Sequence, residues 1–316
     1  MSELTPDLRY LGDRFAAEVE LDDARRDEKP DLSFSSLQGK IVFVVGSPRS
    51  GTTWLQQILA AHPLFATGCE SHLFCEGLDG IWELHRIRDT QMGLRTWITR
   101  PELIQSVRQL ADRIFGAALA AAPGTTHVLE KTPFHEPGAA HRLAEVYPEA
   151  LFVHIIRDGY DSIVSMRSLW GHAEIGSTFT ASAGVWKVGV ESAREALSGL
   201  DYMEFLYEDV VADPERHLRL IFDRAGLPVT DALIASVVKL AEKPINSRKE
   251  KRAKAVTTPV KLDQAGMREI EATAGELLQS LGYLRGPAIV STSIPGGGEA
   301  DVPPPAKPSR RLFSRR

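Results

Sequence analysis

Apolar residues in this chain alternate between short continuous runs and longer stretches with one apolar face. The runs at 40–46 and 150–159 are the clearest, and both are rich in β-branched residues. Runs of this length and type are typical of strands buried on both faces of a parallel sheet. Three further candidate strands lie at 64–68, in the segment that ends in HVLEKTP, and at 201–210.

Between the candidate strands, apolar positions recur at helical spacing. The helix predicted over 101–122 begins with a proline suited to a first turn. We expect its buried face to consist of Leu103, Val107, Leu110, Ile114 and Phe115. Other helices are predicted over about 52–62, 137–146, 179–197, 214–225, 231–241 and 263–281. The alternation of strands and helices predicts a doubly wound α/β fold with a central parallel sheet flanked by helices.

The two ends of the chain depart from this pattern. Residues 1–38 form a polar, charged leader with no apolar segment typical of a signal peptide, and 18 apolar residues run together nowhere. Residues 286–316 are dense in Gly, Pro and Ser, so we expect a disordered tail. Its four arginines are either solvated or in contact with acidic partners or a membrane. We therefore predict one domain at 39–285, in a cytoplasmic protein.

Charge and cysteine content narrow the possible functions. The chain has 37 Lys and Arg against 42 Asp and Glu, a net charge of -5. No overall basic field favours nucleic acid, and any anion site must be built locally. Cys69 and Cys75 are too few for a disulfide framework and lack the spacing of a zinc site, so we expect reduced thiols and no bound metal.

The stretch GSPRSGTTW after the first predicted strand has the glycine spacing of a phosphate-binding loop. Gly46 and Gly51 fit G-x-x-x-x-G-K-[ST], but Thr52 stands where that pattern has lysine. Such a turn directs backbone N–H groups and the positive end of a helix dipole at one anion. Arg49 is the expected replacement cation. Hydroxyl donors are expected from Ser50, Thr52 and Thr53.

Several ordered segments resemble those of sulfotransferases that use 3'-phosphoadenosine 5'-phosphosulfate (PAPS). SPRSGTTWL is similar to the 5'-phosphosulfate loop of that family. IIRDGYDSIVSM is similar to its 3'-phosphate segment, and Arg157 and Ser165 have the eight-residue spacing of the arginine and serine found there. EKTPFH, LYEDVVADP and LLQSLGY agree as well, so the resemblance spans most of residues 40–283.

The resemblance implies a P-loop fold and transfer of a sulfuryl group from PAPS to a hydroxyl or amine, with release of 3',5'-diphosphoadenosine (PAP). Lys131 matches a lysine that contacts the transferring group, and Arg49 would share the charge on the leaving phosphate. The residues implied in nucleotide binding are Arg49, Ser50, Gly51, Thr52, Thr53, Trp54, Arg157, Ser165 and Tyr207. Trp54 and Tyr207 are alternatively plain core residues.

The basic segment 247–254 offers two further candidates for the 3'-phosphate, Arg248 and Lys249. It lacks a clear match to the arginine-lysine-glycine pattern of the cytosolic sulfotransferases. A solvated basic loop is the alternative interpretation.

The acceptor must lose a proton, and three residues are candidate bases. Glu70 is our first choice, because it follows the second predicted strand and resembles the glutamate of carbohydrate, protein and bacterial sulfotransferases. His72 and His135 stay as alternatives, since a histidine base is typical of the cytosolic branch. A partly dry pocket would raise the pKa of Glu70 and make it a better proton acceptor.

Two other functions fit part of the pattern. A P-loop kinase or NTPase would use the same loop, although the best later strand ends in Arg157-Asp158 and not in a bare magnesium-binding carboxylate. A non-catalytic protein would bind PAP and transfer nothing.

For an enzyme, we expect a small-molecule, lipid or carbohydrate acceptor that is selected by segments 73–101 and 171–179. A homodimer is also compatible with the apolar helix faces. Apolar residues of the first segment either line an acceptor cleft or pack a helix: Leu73, Phe74, Leu78, Ile81, Trp82, Leu84 and Ile87.

Overall fold

The computed structural model describes residues 29–86, 93–95, 97–134, 137–241 and 260–285. Contacts divide the chain into two units, Met1–Leu284 and Arg285–Arg316. Every strand and helix described below lies in the first unit, and Arg285 is the one described residue of the second.

Five short strands form a parallel sheet in the order β2-β3-β1-β4-β5. Their bounds are β1 Ile41–Val45, β2 Phe65–Thr67, β3 His127–Lys131, β4 Leu151–Ile156 and β5 Tyr202–Leu206. Every residue of β1 and β4 is buried, which confirms that the two clearest apolar runs are central strands. The strand order reverses at β1, and ligands of open α/β sheets bind beyond the carboxyl ends of the strands at such a point.

Ten helices connect or flank these strands in the described part of the chain. Their bounds are α1 Thr52–Leu59, α2 Leu78–Arg86, α3 Arg100–Ala121, α4 Pro137–Val146, α5 Gly159–Trp170, α6 Phe179–Leu197, α7 Tyr207–Ala212, α8 Pro214–Arg224, α9 Asp231–Ala241 and α10 Gln264–Ser280. A π-helical turn, Leu73–Gly77, leads into α2. The helix predicted over 52–62 ends earlier, at Leu59. The strand predicted over 201–210 ends at Leu206 because α7 begins at Tyr207.

Alternate residues of the strands face two cores on opposite sides of the sheet. On one side, Phe43 stacks on Phe152, with ring centroids 5.6 Å apart, and Tyr147 of the segment after α4 packs at 5.2 Å. On the other side, Val42 and Val44 pack with residues of α1, α8 and α9. Helices therefore cover both faces, and the predicted α/β fold is confirmed.

The buried face of α3 differs in part from the prediction. Leu103, Val107 and Phe115 are buried, but Leu110 and Ile114 are 46% and 45% exposed. Arg108 is fully buried in that face instead, where its guanidinium lies 3.9 Å from the Tyr147 ring centroid and pairs with carboxylates. A buried, paired arginine interrupts the apolar spacing, so the periodicity assigned the face incorrectly at two positions.

Part of the predicted leader belongs to the packed structure. Leu32 and Leu37 are buried in the core that contains α3, and the hydroxyl of Ser35 accepts a hydrogen bond from Arg108 at 2.8 Å. The domain boundary at residue 39 stays a prediction.

The apolar residues of segment 73–101 divide between core and surface. Phe74, Leu78 and Trp82 are core residues, whereas Ile81 and Leu84 are exposed on α2. Packing, which was one of the two alternatives for this set, therefore explains three of its residues. Ile87 lies outside the described residues.

No helix within the described ranges has the length and apolar content needed to cross a membrane. The disordered tail lies outside those ranges and stays a prediction, as does the cytoplasmic location.

Candidate active site

The loop between β1 and α1 has a backbone that only glycine fits at two positions. A Cβ atom on Gly46 would lie 2.5 Å from the carbonyl oxygen of Ile155. Gly51 has a φ of 98°, and a Cβ there would lie 2.6 Å from the Tyr207 ring. Gly51 is also the N-cap residue of α1 and contributes no capping side chain. Because α1 follows β1 through this short loop, its first N–H groups lie near the carboxyl end of β1. N–H groups at the start of a helix can bind an anion.

Arg49 links this loop to the segment after β4. Its backbone is left-handed, with a φ of 69°, and its Nε donates a hydrogen bond to Ser165 Oγ at 2.9 Å. Ser50 is buried, and its hydroxyl donates to the carbonyl oxygen of Ser47 at 2.7 Å. Ser50 thus shapes the loop through its hydroxyl. The contact between Arg49 and Ser165 was not predicted from the sequence, which paired Ser165 with Arg157.

The other predicted nucleotide residues converge next to this loop. The guanidinium carbon of Arg157 lies 5.2 Å from the ring centroid of Tyr207, and the Trp54 and Tyr207 centroids are 5.1 Å apart. Arg157 also pairs with Asp161 at 3.2 Å, but its buried Nε has no hydrogen-bond partner among the described residues. Both aromatic rings are half-buried at the edge of the core. Arg248 and Lys249 lie outside the described residues.

Glu70 and Lys131 form an ion pair across the ends of β2 and β3. Lys131, which is 1% exposed, contacts one carboxylate oxygen of Glu70 and donates to Thr53 Oγ1 at 2.9 Å. The other oxygen of Glu70 lies 3.0 Å from His72 Nε2. Lys131 therefore joins Glu70, the first candidate base, to the first turn of α1, and His72, an alternative base, is in contact with Glu70. His135 lies outside the described residues.

Contacts with Lys131 and His72 decide the direction of the pKa shift of Glu70. Burial by itself raises the pKa of this carboxyl, but the Lys131 ammonium and the His72 ring outweigh burial and hold the pKa below its usual range. The rise that a partly dry pocket would cause is therefore not the net effect, because Lys131 contacts Glu70.

Glu130 is a buried residue of this region that the sequence analysis did not select. Its Oε1 accepts hydrogen bonds from the backbone N–H and the hydroxyl of Ser71, at 3.2 and 2.8 Å, and from Thr132 Oγ1 at 2.6 Å. Burial raises the pKa of Glu130. Its place beside Lys131 in EKTP is the signal in the sequence that indicates this residue.

The fold and the glycine loop together indicate a class of protein. A glycine turn between a buried strand and a helix, at the switch point of a parallel sheet, is the phosphate site of P-loop α/β proteins. A family model described as "Sulfotransferase family" matches residues 42–231, which is more than half of the chain. The chain therefore belongs to the sulfotransferase family.

Two curated relatives show the level of similarity. The chain is 23% identical to protein-tyrosine sulfotransferase A of Caenorhabditis elegans over 228 residues, which cover 70% of this chain and 59% of the relative. It is 25% identical to protein-tyrosine sulfotransferase 1 of Danio rerio over 200 residues, which cover 61% and 55%. The chain thus spans little more than half the length of these relatives.

A solved structure supports the fold. The crystal structure of sulfotransferase STF9 from Mycobacterium avium matches with a TM-score of 0.50 and 16% identity, over 87% of this chain and 86% of that chain.

Proposed function

We propose that this protein transfers a sulfuryl group from PAPS to an acceptor hydroxyl or amine and releases PAP. The observation that carries the proposal is the contact of Lys131 with both Glu70 and Thr53, since it brings a candidate base and a buried cation to the phosphate loop. Membership of the sulfotransferase family supports the same reaction.

The residues present fit both phosphates of PAPS. The glycine turn at 46–51 and the start of α1 suit the 5'-phosphosulfate, with Thr52, Thr53 and Arg49 as donors. Arg157 suits the 3'-phosphate, because its buried Nε has no partner in the described part of the chain. Ser165 is held at the phosphate loop by the hydrogen bond that it accepts from Arg49. When bound, PAPS supplies a sulfuryl group whose leaving group is a phosphate.

Within this site, Glu70 and Lys131 would have different roles, one as the base and the other as the cation beside the leaving group. Glu70 would take the proton of the acceptor, which requires a carboxylate oxygen within about 3 Å of the acceptor atom. The acceptor atom forms a bond to sulfur as the bond from sulfur to the phosphate oxygen breaks. That oxygen keeps the electron pair, and Lys131 would stabilise its charge. His72 would orient Glu70 through the second carboxylate oxygen.

The low pKa of Glu70 makes it a weak base and favours acceptors whose own proton is acidic. A phenolic hydroxyl, with a pKa near 10, is the most acidic hydroxyl among protein side chains. Two relatives are named for transfer to protein tyrosine. We therefore rank tyrosine peptides and small phenols first among acceptors to test, ahead of lipid and carbohydrate hydroxyls. The homodimer and the cytoplasmic location stay proposals.

Replacing Arg157 with alanine is expected to weaken PAP binding by about 10- to 100-fold, because a hydrogen bond to a charged group contributes about 1.5–3 kcal/mol. Binding of adenosine 5'-phosphate, which lacks the 3'-phosphate, should change much less. Titration calorimetry with both nucleotides measures the difference. Arg224→Ala, which removes a surface pair with Asp201, is the matched control and should bind both nucleotides normally. If Arg157→Ala lost the same affinity for both nucleotides, Arg157 would not be a 3'-phosphate ligand.

Replacing Gly51 with alanine should weaken PAP binding at least 10-fold. The added methyl group would require an unfavourable φ and would press on the Tyr207 ring, so the loop must move. Gly116→Ala is the control, since a Cβ atom on this residue of α3 meets nothing within 4 Å. PAP affinity of Gly51→Ala equal to that of Gly116→Ala would show that the loop does not bind the nucleotide.

Thermal unfolding with added nucleotides tests the proposed function against the kinase and NTPase alternatives. PAP in EDTA is expected to raise the Tm, and saturation at 100 times Kd corresponds to about 2.7 kcal/mol of stabilisation. A protein stabilised by ATP with magnesium and not by PAP would be a kinase or an NTPase.

A further inference from the structure

We propose that Glu130 is a positioning residue for sulfuryl transfer, which holds Ser71 and thereby fixes the neighbouring Glu70 against Lys131. The proposal rests on the proposed function, because it gives a buried carboxyl a task in preparing the base of that reaction.

The position of Glu130 follows from the alternation of β3. Lys131 contacts Thr53 of α1, on the face of the sheet that α1 covers. Successive strand residues point to opposite faces, so Glu130 points to the other side, where Phe43 is its neighbour in register on β1. Two neighbouring residues of β3 thus act on Glu70. Lys131 contacts Glu70 directly, and Glu130 contacts Ser71, which follows Glu70 in the chain.

Glu130 is costly to bury and must therefore be compensated. It is 5% exposed, and an unpaired carboxyl in such a place would destabilise the fold by several kcal/mol. Its Oε1 accepts three hydrogen bonds, and two of them come from Ser71. Because Ser71 directly follows Glu70, these two bonds fix the backbone next to the base.

The segment from 68 to 72 is neither helix nor strand, and its first and last carbonyl groups accept hydrogen bonds from Gln56 and from the N–H of Gly77. It lies between β2 and the π-helical turn, and His72 has a left-handed backbone with a φ of 51°. Side-chain contacts therefore set much of its conformation, and Ser71 is held by the buried carboxyl of Glu130 through two hydrogen bonds. Loss of this contact would let Glu70 move away from Lys131.

The test compares Glu130→Ala with Glu130→Gln, using radiolabelled PAPS with a tyrosine peptide and para-nitrophenol as acceptors. Glu130→Ala is expected to lower kcat about 30-fold and to leave PAP affinity within about threefold of wild type. The acid limb of kcat/KM should move to higher pH, because Glu70 loses the contact that lowers its pKa. Glu130→Gln keeps a neutral acceptor of the same shape, which suits a site where burial raises the pKa, and should restore at least a third of kcat.

A double mutant separates positioning from general stability. In a Glu70→Gln background, Glu130→Ala should reduce kcat by less than threefold further, because its effect acts through Glu70. If Glu130→Ala does not fold, Ser71→Ala takes its place, with a smaller loss of kcat and the same direction of pH shift.

The outcomes distinguish this proposal from the proposed function. A wild-type protein that transfers no sulfuryl group contradicts both. An active wild type contradicts the positioning role alone if Glu130→Ala or Ser71→Ala keeps the wild-type kcat and pH profile. The same conclusion follows if the loss in Glu130→Ala persists in full in the Glu70→Gln background or is not restored by Glu130→Gln.

Discussion

Replacing Glu70 with glutamine is expected to lower kcat for sulfuryl transfer by about 100- to 10,000-fold, the range that a positioned general base contributes. Glutamine has the same shape and can still accept a hydrogen bond from Lys131, but it cannot take the proton of the acceptor. PAP affinity should stay within about threefold of wild type, because the predicted phosphate contacts do not include Glu70. Initial rates with radiolabelled PAPS and PAP titrations measure the two effects separately.

A matched control and the histidine alternatives make this result decisive. Glu83→Gln removes an exposed carboxylate of α2, which pairs with Arg86, and should leave both quantities unchanged. If Glu70→Gln keeps the wild-type kcat, the base is another group. His72→Gln and His135→Gln would then be the variants to measure.

Replacing Lys131 with methionine is expected to lower kcat about 100- to 1,000-fold, as the loss of one donor to a developing anion does in other enzymes. Methionine fills a similar volume without the charge. Because Lys131 lowers the pKa of Glu70, its removal raises that pKa and the protonated, inactive base persists to higher pH. The acid limb of the pH profile of kcat/KM should therefore move upward.

Lys187→Met is the control for this variant, since Lys187 is a half-exposed lysine of α6 whose nearest carboxylate is Glu191 at 3.9 Å. Its kcat and pH profile should match those of wild type. A Lys131→Met protein with unchanged kcat would remove Lys131 from the reaction, and a downward shift of the acid limb would contradict the ion pair with Glu70.

Local patterns predicted much of the fold. The runs at 40–46 and 150–159 are strands because continuous apolar runs suit the centre of a parallel sheet, and both are buried at every strand position. The glycine turn was predictable for a similar reason, since a left-handed residue at Gly51 and a close approach at Gly46 each require glycine. In α3, however, the buried Arg108 forms ion pairs with carboxylates, and there the apolar spacing assigned two positions of the buried face incorrectly.

The electrostatics of the site were less accessible from sequence. Glu70 and Lys131 are both in recognisable segments, but their contact joins residues 61 positions apart. That contact decides the sign of the pKa shift, and the effect of burial alone does not give the net direction. The role of Glu130 was not predicted for a related reason. Its partner Ser71 is distant in the sequence, so only the folded structure shows the hydrogen bond between them.

Transfer of a sulfuryl group from radiolabelled PAPS is the most direct measurement of what this site does. With a tyrosine peptide or a small phenol, and with EDTA present, we predict labelled acceptor and PAP in a one-to-one ratio. PAP that binds tightly while no acceptor of any tested class becomes labelled would contradict this account and identify a protein that binds the nucleotide without catalysis.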